Sequence, residues 1–241
     1  MKDKTLVLIP ARGGSKGIPG KNLQRLGKAT LLEWAVKVGQ SWGGAMGVSV
    51  STDYEDIAQA ALSAGATVLR RPPELSQDNS TVVDMVHYHL KTLEEDGRFP
   101  EVIVYLEPTS PFRTVQEINE CMEALLKNNY DSVATFTALN YHPSWLLTCD
   151  ETGRAEYMEK DQPVWSITSD TPHTYAITGG VYVFRTRAFL EAKPLGILFG
   201  DKGHIIQKSP PIDIDTIFEL ETARTLLEYI DTSELAALGL V

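Results

Sequence analysis

Two cysteines in 241 residues, Cys121 and Cys149, leave no disulfide framework to hold the chain together. Cys121 falls within a helical pattern, and a pair of reduced, structural thiols is what a cytoplasmic protein carries. Basic residues are also scarce: 22 Lys and Arg stand against 32 Asp and Glu, for a formal net charge of −10. Such a surface repels phosphate backbones and anionic lipid, which excludes general nucleic-acid binding and membrane association. Long apolar runs are missing. None approaches the ~18 to 20 residues a membrane helix needs. The stretch Thr5–Ile9 is cut by Pro10 and Arg12, too soon for a signal-peptide core. Disorder is excluded as well, because 43% of the residues are hydrophobic. The expectation is a cytoplasmic domain with enough apolar material for a full core.

What is present is an alternation of short apolar runs and amphipathic stretches. Thr5–Ile9, Gly47–Val50, Thr67–Leu69, Val102–Leu106 and Ser132–Phe136 read as strands. Between them lie helical patterns around Leu31–Val38, Tyr54–Ala64, Thr81–Glu95 and Val115–Asn128. The uninterrupted run Val102–Leu106 suits the buried centre of a parallel sheet. This rhythm predicts an α/β fold: a single doubly wound, mostly parallel sheet with helices on both faces. From about 139 to 178 the rhythm fails among prolines and scattered aromatics, so that stretch is read as an insertion. Regularity returns at Gly180–Phe184, Ile205–Gln207 and a last helix, Ile217–Ile230. One domain over 1–231 is expected, followed by a C-terminal tail, 232–241.

In open α/β sheets ligands bind beyond the carboxyl ends of the strands, which draws attention to the loop after the first strand. It reads Pro10-Ala-Arg-Gly-Gly-Ser-Lys-Gly-Ile-Pro-Gly-Lys-Asn22. Four glycines let backbone N–H groups approach an anion, and Arg12, Lys16 and Lys21 bring three cations into an acidic chain. That composition suits a polyphosphate better than a solvated turn. Two well-known phosphate loops do not fit. A Walker loop would need Gly and Ser/Thr where this chain has Ser15 and Asn22, and the spacing of Gly13, Gly14 and Gly17 is not that of a dinucleotide fingerprint.

Near the other end, Asp213 and Asp215 lie two apart after an apolar stretch. Extended backbone sends alternate side chains the same way, and paired carboxylates suit a hard divalent cation that also binds phosphate. The alternative is that Asp215 caps the helix beginning near Thr216.

The loop IPARGGSKGIPGKN resembles the N-terminal motif of the acylneuraminate cytidylyltransferases, the CMP-sialic acid synthetases. Four further blocks resemble that family in the same order: Val50-Ser-Thr-Asp53, Leu69–Pro72 with Glu74, Leu75 and Asp78, Glu107-Pro-Thr-Ser-Pro-Phe-Arg113, and Ile212-Asp-Ile-Asp-Thr216. The resemblance implies a nucleotide-diphospho-sugar transferase-like fold whose inserted segment serves a homodimer. It implies CMP transfer from CTP to the anomeric hydroxyl of a nonulosonic sugar acid, with Mg²⁺ as cofactor and pyrophosphate released. By resemblance, Arg12, Lys21 and Asn22 hold the nucleotide, with Gly13, Gly14, Ser15 and Lys16 near the phosphates. Arg71, Asp78 and Ser80 match the region that recognises base and ribose, while Asp213 and Asp215 match the metal-binding pair. Arg12, Lys21 and Asp213 are the expected catalytic residues.

On the acceptor side the chain departs from the family. Glu107 stands where most members have Gln. Thr178 stands where Asn is expected, in Tyr175-Ala-Ile-Thr-Gly-Gly180, and the family's arginine before it is missing. The insertion shows His142-Pro-Ser-Trp145 in place of a basic residue. Glu107, Thr178 and Tyr175 are therefore the expected acceptor contacts, and the acceptor is expected to differ from ordinary sialic acid. A rival expectation is transfer to a sugar 1-phosphate or another acceptor, with GTP among the donors to test. A second is nucleotide binding without catalysis, against which the intact Arg12, Lys21, Asp213 and Asp215 argue. His87 and His89, two apart on a helix, point to different faces and are read as structural.

Overall fold

The computed structural model describes residues 4–15, 17–77, 80–139, 141, 143–158, 173–192 and 194–241. The first half of the chain winds as the periodicity predicts. Strand β1 (Thr5–Pro10) leads through the glycine-rich loop and a small hairpin, β2 (Arg25–Leu26) and β3 (Ala29–Thr30), into helix α1 (Leu31–Trp42). Then come β4 (Gly47–Thr52), α2 (Glu55–Ser63), β5 (Thr67–Arg70), α3 (Val82–Glu95), β6 (Val102–Tyr105), α4 (Val115–Lys127) and β7 (Ser132–Ala138). Helices α1, α3 and α4 begin at Thr30, Thr81 and Thr114, each hydroxyl accepting from the backbone N–H of an acid three residues on. That acid reaches back to the threonine N–H, so two orphan donors are satisfied at each helix start.

Seven strands form one sheet in the order β11-β7-β10-β6-β1-β4-β5, where β10 is Tyr175–Arg185 and β11 is Lys202–Ile206. Every pairing is parallel except those of β10, which runs antiparallel to both β6 and β7. Alternation along β1 divides the core. Val7 and Ile9 pack with α1, α2 and α4 on one face, and Leu6 and Leu8 pack with α3 and α5 (Thr186–Ala192) on the other. The parallel strand order reverses at β1, with β4 and β5 on one side and β6 on the other. Loops after β1, β4 and β6 therefore open into one crevice.

The insertion is shorter than expected at its far end, because Tyr175–Ile177 already pair with Phe136–Ala138 of β7. Its described part holds an exposed hairpin, β8 (Leu147–Cys149) with β9 (Ala155–Tyr157). The chain end also corrects the expectation. Residues read as a tail form α7 (Ser233–Ala237), and the last helix of the main run, α6 (Ile217–Leu226), stops short of Ile230. Leu235 and Leu240 are buried in a third cluster with Ile18, Trp34, Ile214 and Leu220. The Leu240 carbonyl accepts from Lys28 N at 2.9 Å, and the close approach of Leu240 is permitted by Gly27 at φ +62°. Apolar spacing over so few residues is too short to register as a helix, which is why the packing was not legible.

Since Leu240 is fully buried, Leu240→Ala is expected to cost about 2–5 kcal/mol in urea unfolding. A cost below about 0.5 kcal/mol would restore the tail reading.

Candidate active site

A cleft of about 660 Å³ opens at the carboxyl ends of β1, β4 and β6. Arg12, Ser15, Gly17, Lys21 and Asn22 line it from the first loop, Arg71 and Ser80 from the β5–α3 connection, and Glu107, Asp213 and Asp215 from the far wall. Loop, base-region and carboxylate candidates thus share one cavity. Lys16 and Asp78 lie outside the described residues.

The loop is anchored at several points. Ala11 N donates to Ser51 O at 2.9 Å, Gly13 N donates to Asp53 Oδ1 at 3.1 Å, and Asn22 Nδ2 donates to Arg12 O at 3.0 Å. Asn22 is buried, so its amide is a staple of the loop as well as a wall of the cleft. Gly13 and Gly14 do not line the cavity. Gly13's N–H is held by Asp53, and its missing side chain leaves room for the Tyr54 ring. Gly20 takes φ +60° at the start of the 3-10 turn Lys21–Leu23, a conformation that suits glycine. That turn sends Lys21 across the cleft, where Nζ lies 2.7 Å from Asp215 Oδ1.

Asp213 and Asp215 come from an extended segment after β11, with Ile214 fully buried between them. Alternation turns the isoleucine into the core and both carboxylates into the cleft. Ile214 N donates to Thr109 O at 2.8 Å, tying the segment to the loop after β6. The capping alternative for Asp215 does not hold. Thr216 caps α6 (Ile217–Leu226), with Glu219 completing the box, and Glu219 Oε2 also accepts from Asp215 N at 2.8 Å. Asp215's carboxylate is left to Lys21 and the cleft. Burial raises the Asp213 pKa, its hydrogen bond with the Thr109 side chain opposes that, and the neighbouring Asp215 charge adds to the rise. Two oxygen donors carrying excess negative charge beside a phosphate-type loop fit a hard divalent cation. No third His, Cys, Asp or Glu joins them into a closed cage among the described residues, so phosphate oxygens and water would complete the shell.

The acceptor expectations divide. Glu107 lines both this cleft and an adjoining, more apolar hollow of about 410 Å³ walled by Val82, Ile177, Tyr182 and Ile197. Its pKa is pushed up to about 7, by burial first and then by the Asp213 carboxylate, against the opposing charges of Arg113 and Lys21. Arg113, fully buried, holds the loop beneath: its Nη2 donates to the Glu107 carbonyl and its Nε to Gly180 O at 2.5 Å. Thr178 does not face the cavity. The β10 irregularity between Ile177 and Tyr182 turns its hydroxyl onto Thr135, 2.7 Å from Oγ1 and donating to Thr135 O at 3.1 Å. Tyr175 stands at the exposed side of the sheet against His204, with ring centroids 5.9 Å apart. Residues that sequence reasoning missed are Tyr105, Gln77 and Thr109, all lining the cleft. Thr109 lay within a quoted block, whereas nothing in the pattern marks Tyr105, a buried strand residue like its neighbours.

Comparison with known proteins gives the family and the fold. A family model described as a cytidylyltransferase matches residues 6–229. An N-acylneuraminate cytidylyltransferase of Streptococcus agalactiae serotype V is 31% identical over 209 residues, covering 80% of this chain and 50% of that one. The chain therefore spans half the length of that relative. A CMP-N,N'-diacetyllegionaminic acid synthase of Legionella pneumophila is 29% identical over 226 residues, covering 93% and 97%. Among solved structures, a CMP:2-keto-3-deoxy-manno-octonic acid synthetase complexed with CTP superposes with a TM-score of 0.69 at 16% identity, covering 93% and 98%. At that identity the likeness is one of fold.

The raised Glu107 pKa carries a stability consequence. The fold favours the neutral carboxyl, so the contribution of this group is fully present below the ordinary value of 4.5 and is lost as pH rises through about 7. In metal-free buffer, Glu107→Gln is expected to raise Tm by about 3–8 °C more at pH 8 than at pH 5. An equal shift at both pH values would contradict a buried, disfavoured carboxylate.

Proposed function

The chain belongs to the cytidylyltransferase family, and from that premise we propose that it transfers CMP from CTP to the anomeric hydroxyl of a nonulosonic sugar acid. The acceptor oxygen attacks the α-phosphorus, the bond to the bridging oxygen breaks, and pyrophosphate leaves as the hydroxyl proton is lost to solvent or a cleft base. The single observation carrying this reading is the cleft that joins Arg12 and Lys21 to Asp213 and Asp215. Both curated relatives are named for nonulosonic substrates or products, which supports that acceptor class.

Little covalent work falls to the protein; positioning and charge neutralisation supply most of the rate. Lys21 and Arg12 offset negative charge on the triphosphate, with Lys21 kept in place by Asp215. Ser15 and the loop amides add neutral donors. Asp213 and Asp215 would hold Mg²⁺, which when bound neutralises phosphate oxygens and orients them. Arg71 and Ser80 face the base and ribose. Glu107 stands at the junction with the apolar hollow, where a carboxyl of raised pKa favours an acceptor that brings amide, hydroxyl or amine groups and apolar substituents. A homodimer is supported by the solvent-facing apolar residues Tyr141, Trp145, Leu147, Tyr157 and Met158, an assembly of exposed groups that a monomer rarely leaves uncovered. His142 lies outside the described residues, and Trp145 sits in a 3-10 turn of that same region. Cys121 and Cys149 are both free, in keeping with a reducing, cytoplasmic setting.

The test is pyrophosphate release with Mg²⁺, crossing the four NTPs with nonulosonic acids and sugar 1-phosphates. Release with CTP and a nonulosonic acid is expected, and Lys21→Ala is expected to lower it by about 10²- to 10³-fold while the melting transition persists. Release only with a sugar 1-phosphate, or only with GTP, would overturn the reading. Near-normal turnover by Lys21→Ala would remove its catalytic role.

A further inference from the structure

Behind the nucleotide wall of the cleft lies a buried polar chain that the proposed chemistry does not use. His89, on the inner face of α3, is 2% exposed, and Ser51, on β4, is 0% exposed. His89 Nε2 lies 2.6 Å from Ser51 Oγ. Arg71, at the end of β5, donates from Nε to that same Oγ and from Nη2 to Ser51 O, both at 3.1 Å. The Ser51 carbonyl also accepts from Ala11 N, at the root of the phosphate loop. His87, two residues away, rests on the Phe189 ring at 4.8 Å and has only a packing role by comparison.

Counting donors fixes one end of this chain. An arginine can only donate, so Ser51 Oγ accepts from Arg71 Nε. The other close partner of that hydroxyl is His89 Nε2, which can accept its single hydrogen when the ring carries its proton on Nδ1. In that arrangement the His89 ring is neutral. Its pKa accords with that, pushed down to about 4 by burial and by the Arg71 charge. With Nε and Nη2 gripped by one serine, Arg71 Nη1 is left without a hydrogen-bond partner among the described residues, and Arg71 lines the cleft.

We propose that His89 is a positioning residue for base selection. By accepting the Ser51 hydroxyl hydrogen, it holds Ser51 so that the Arg71 guanidinium is locked in one orientation towards the nucleotide. The inference rests on the CTP reading of the cleft. A donor-only group in a fixed orientation can read the O2 and N3 acceptors of cytosine. The N3–H of uracil would meet it donor against donor, so discrimination depends on the guanidinium staying put. Without the histidine acceptor, the serine hydroxyl has no buried partner in that direction, and it turns away from the arrangement that grips Arg71.

The experiment measures kcat and KM for CTP and UTP in the full-length protein, with calorimetric binding of each nucleotide as an activity-independent readout. His89→Phe, which keeps the ring volume and removes the acceptor, is expected to raise KM for CTP about tenfold while kcat stays within about threefold, and to narrow the CTP/UTP preference. His89→Gln, whose carbonyl can accept the same hydrogen, is expected to recover most of the loss. Ser51→Ala should reproduce the His89→Phe phenotype, and the double variant should be no worse than either single. Unchanged nucleotide preference in His89→Phe and Ser51→Ala would overturn the proposal. So would equal loss in His89→Gln and His89→Phe, which would mean packing alone. If His89→Phe fails to fold, the Ser51→Ala and His89→Gln comparison decides. A wild-type protein with no preference for CTP would instead defeat the underlying reading of the cleft.

Discussion

Everything in the cleft depends on the closure of one segment upon another 194 residues distant in sequence. Lys21 and Asp215 meet at 2.7 Å, and just behind them the backbone of Gly17 lies against the Asp215 carbonyl so closely that a β-carbon there would collide with it. Ile18 and Ile214, flanking the contact, are both fully buried in the third apolar cluster. Apolar burial on one side of the two strips of chain thus holds their charges together on the other. A phosphate loop alone or a carboxylate pair alone would be a weak site; pressed together they give cations for phosphate and anions for a metal within one cavity.

The electrostatics follow from that closure. In a chain of net charge −10, the cleft collects Arg12, Lys21 and Arg71, but also Glu107, Asp213 and Asp215. Burial first, and neighbouring carboxylates after it, hold Glu107 and Asp213 above their ordinary pKa values. The free site is under electrostatic tension that a bound cation relieves, so nucleotide and metal are expected to bind as partners. Arg113 shows the opposite case: buried and drawn down to about 10, it remains charged and donates from Nε to the Gly180 carbonyl and from Nη2 to the Glu107 carbonyl. It fixes the loop that carries Glu107 without entering the cleft.

Much of this was legible in the sequence because local rules agree with the global fold. The apolar run Val102–Leu106 and the i, i+3, i+4 spacing around Leu31–Val38 announce a strand and a helix. The loop's three cations and the Asp-Ile-Asp alternation likewise point to phosphate and metal on composition and period. Other features could not be read. Side-chain alternation is the same in either direction, so nothing marked β10 as antiparallel. Thr178 and Tyr175 were equally unreadable: beside an irregularity in β10 the threonine hydroxyl turns onto Thr135, while the tyrosine stands at the exposed side of the sheet. His89 looked inert because its role lies in which neighbours it meets, Ser51 and through it Arg71, and those come from two other elements.

If the contact between Gly17 and Asp215 assembles the nucleotide and metal halves of the site, parting the two segments weakens nucleotide binding. Titrating CTP with Mg²⁺ into the wild type and Gly17→Ala by calorimetry tests it directly. A β-carbon on Gly17 would press on the backbone carbonyl of Asp215, so the variant should stay folded but melt below the parent, by about 2–10 °C for an overpacking cost of about 1–3 kcal/mol. The variant is expected to bind CTP at least about tenfold more weakly. Equal affinity in the two proteins would mean that the two halves do not depend on one another.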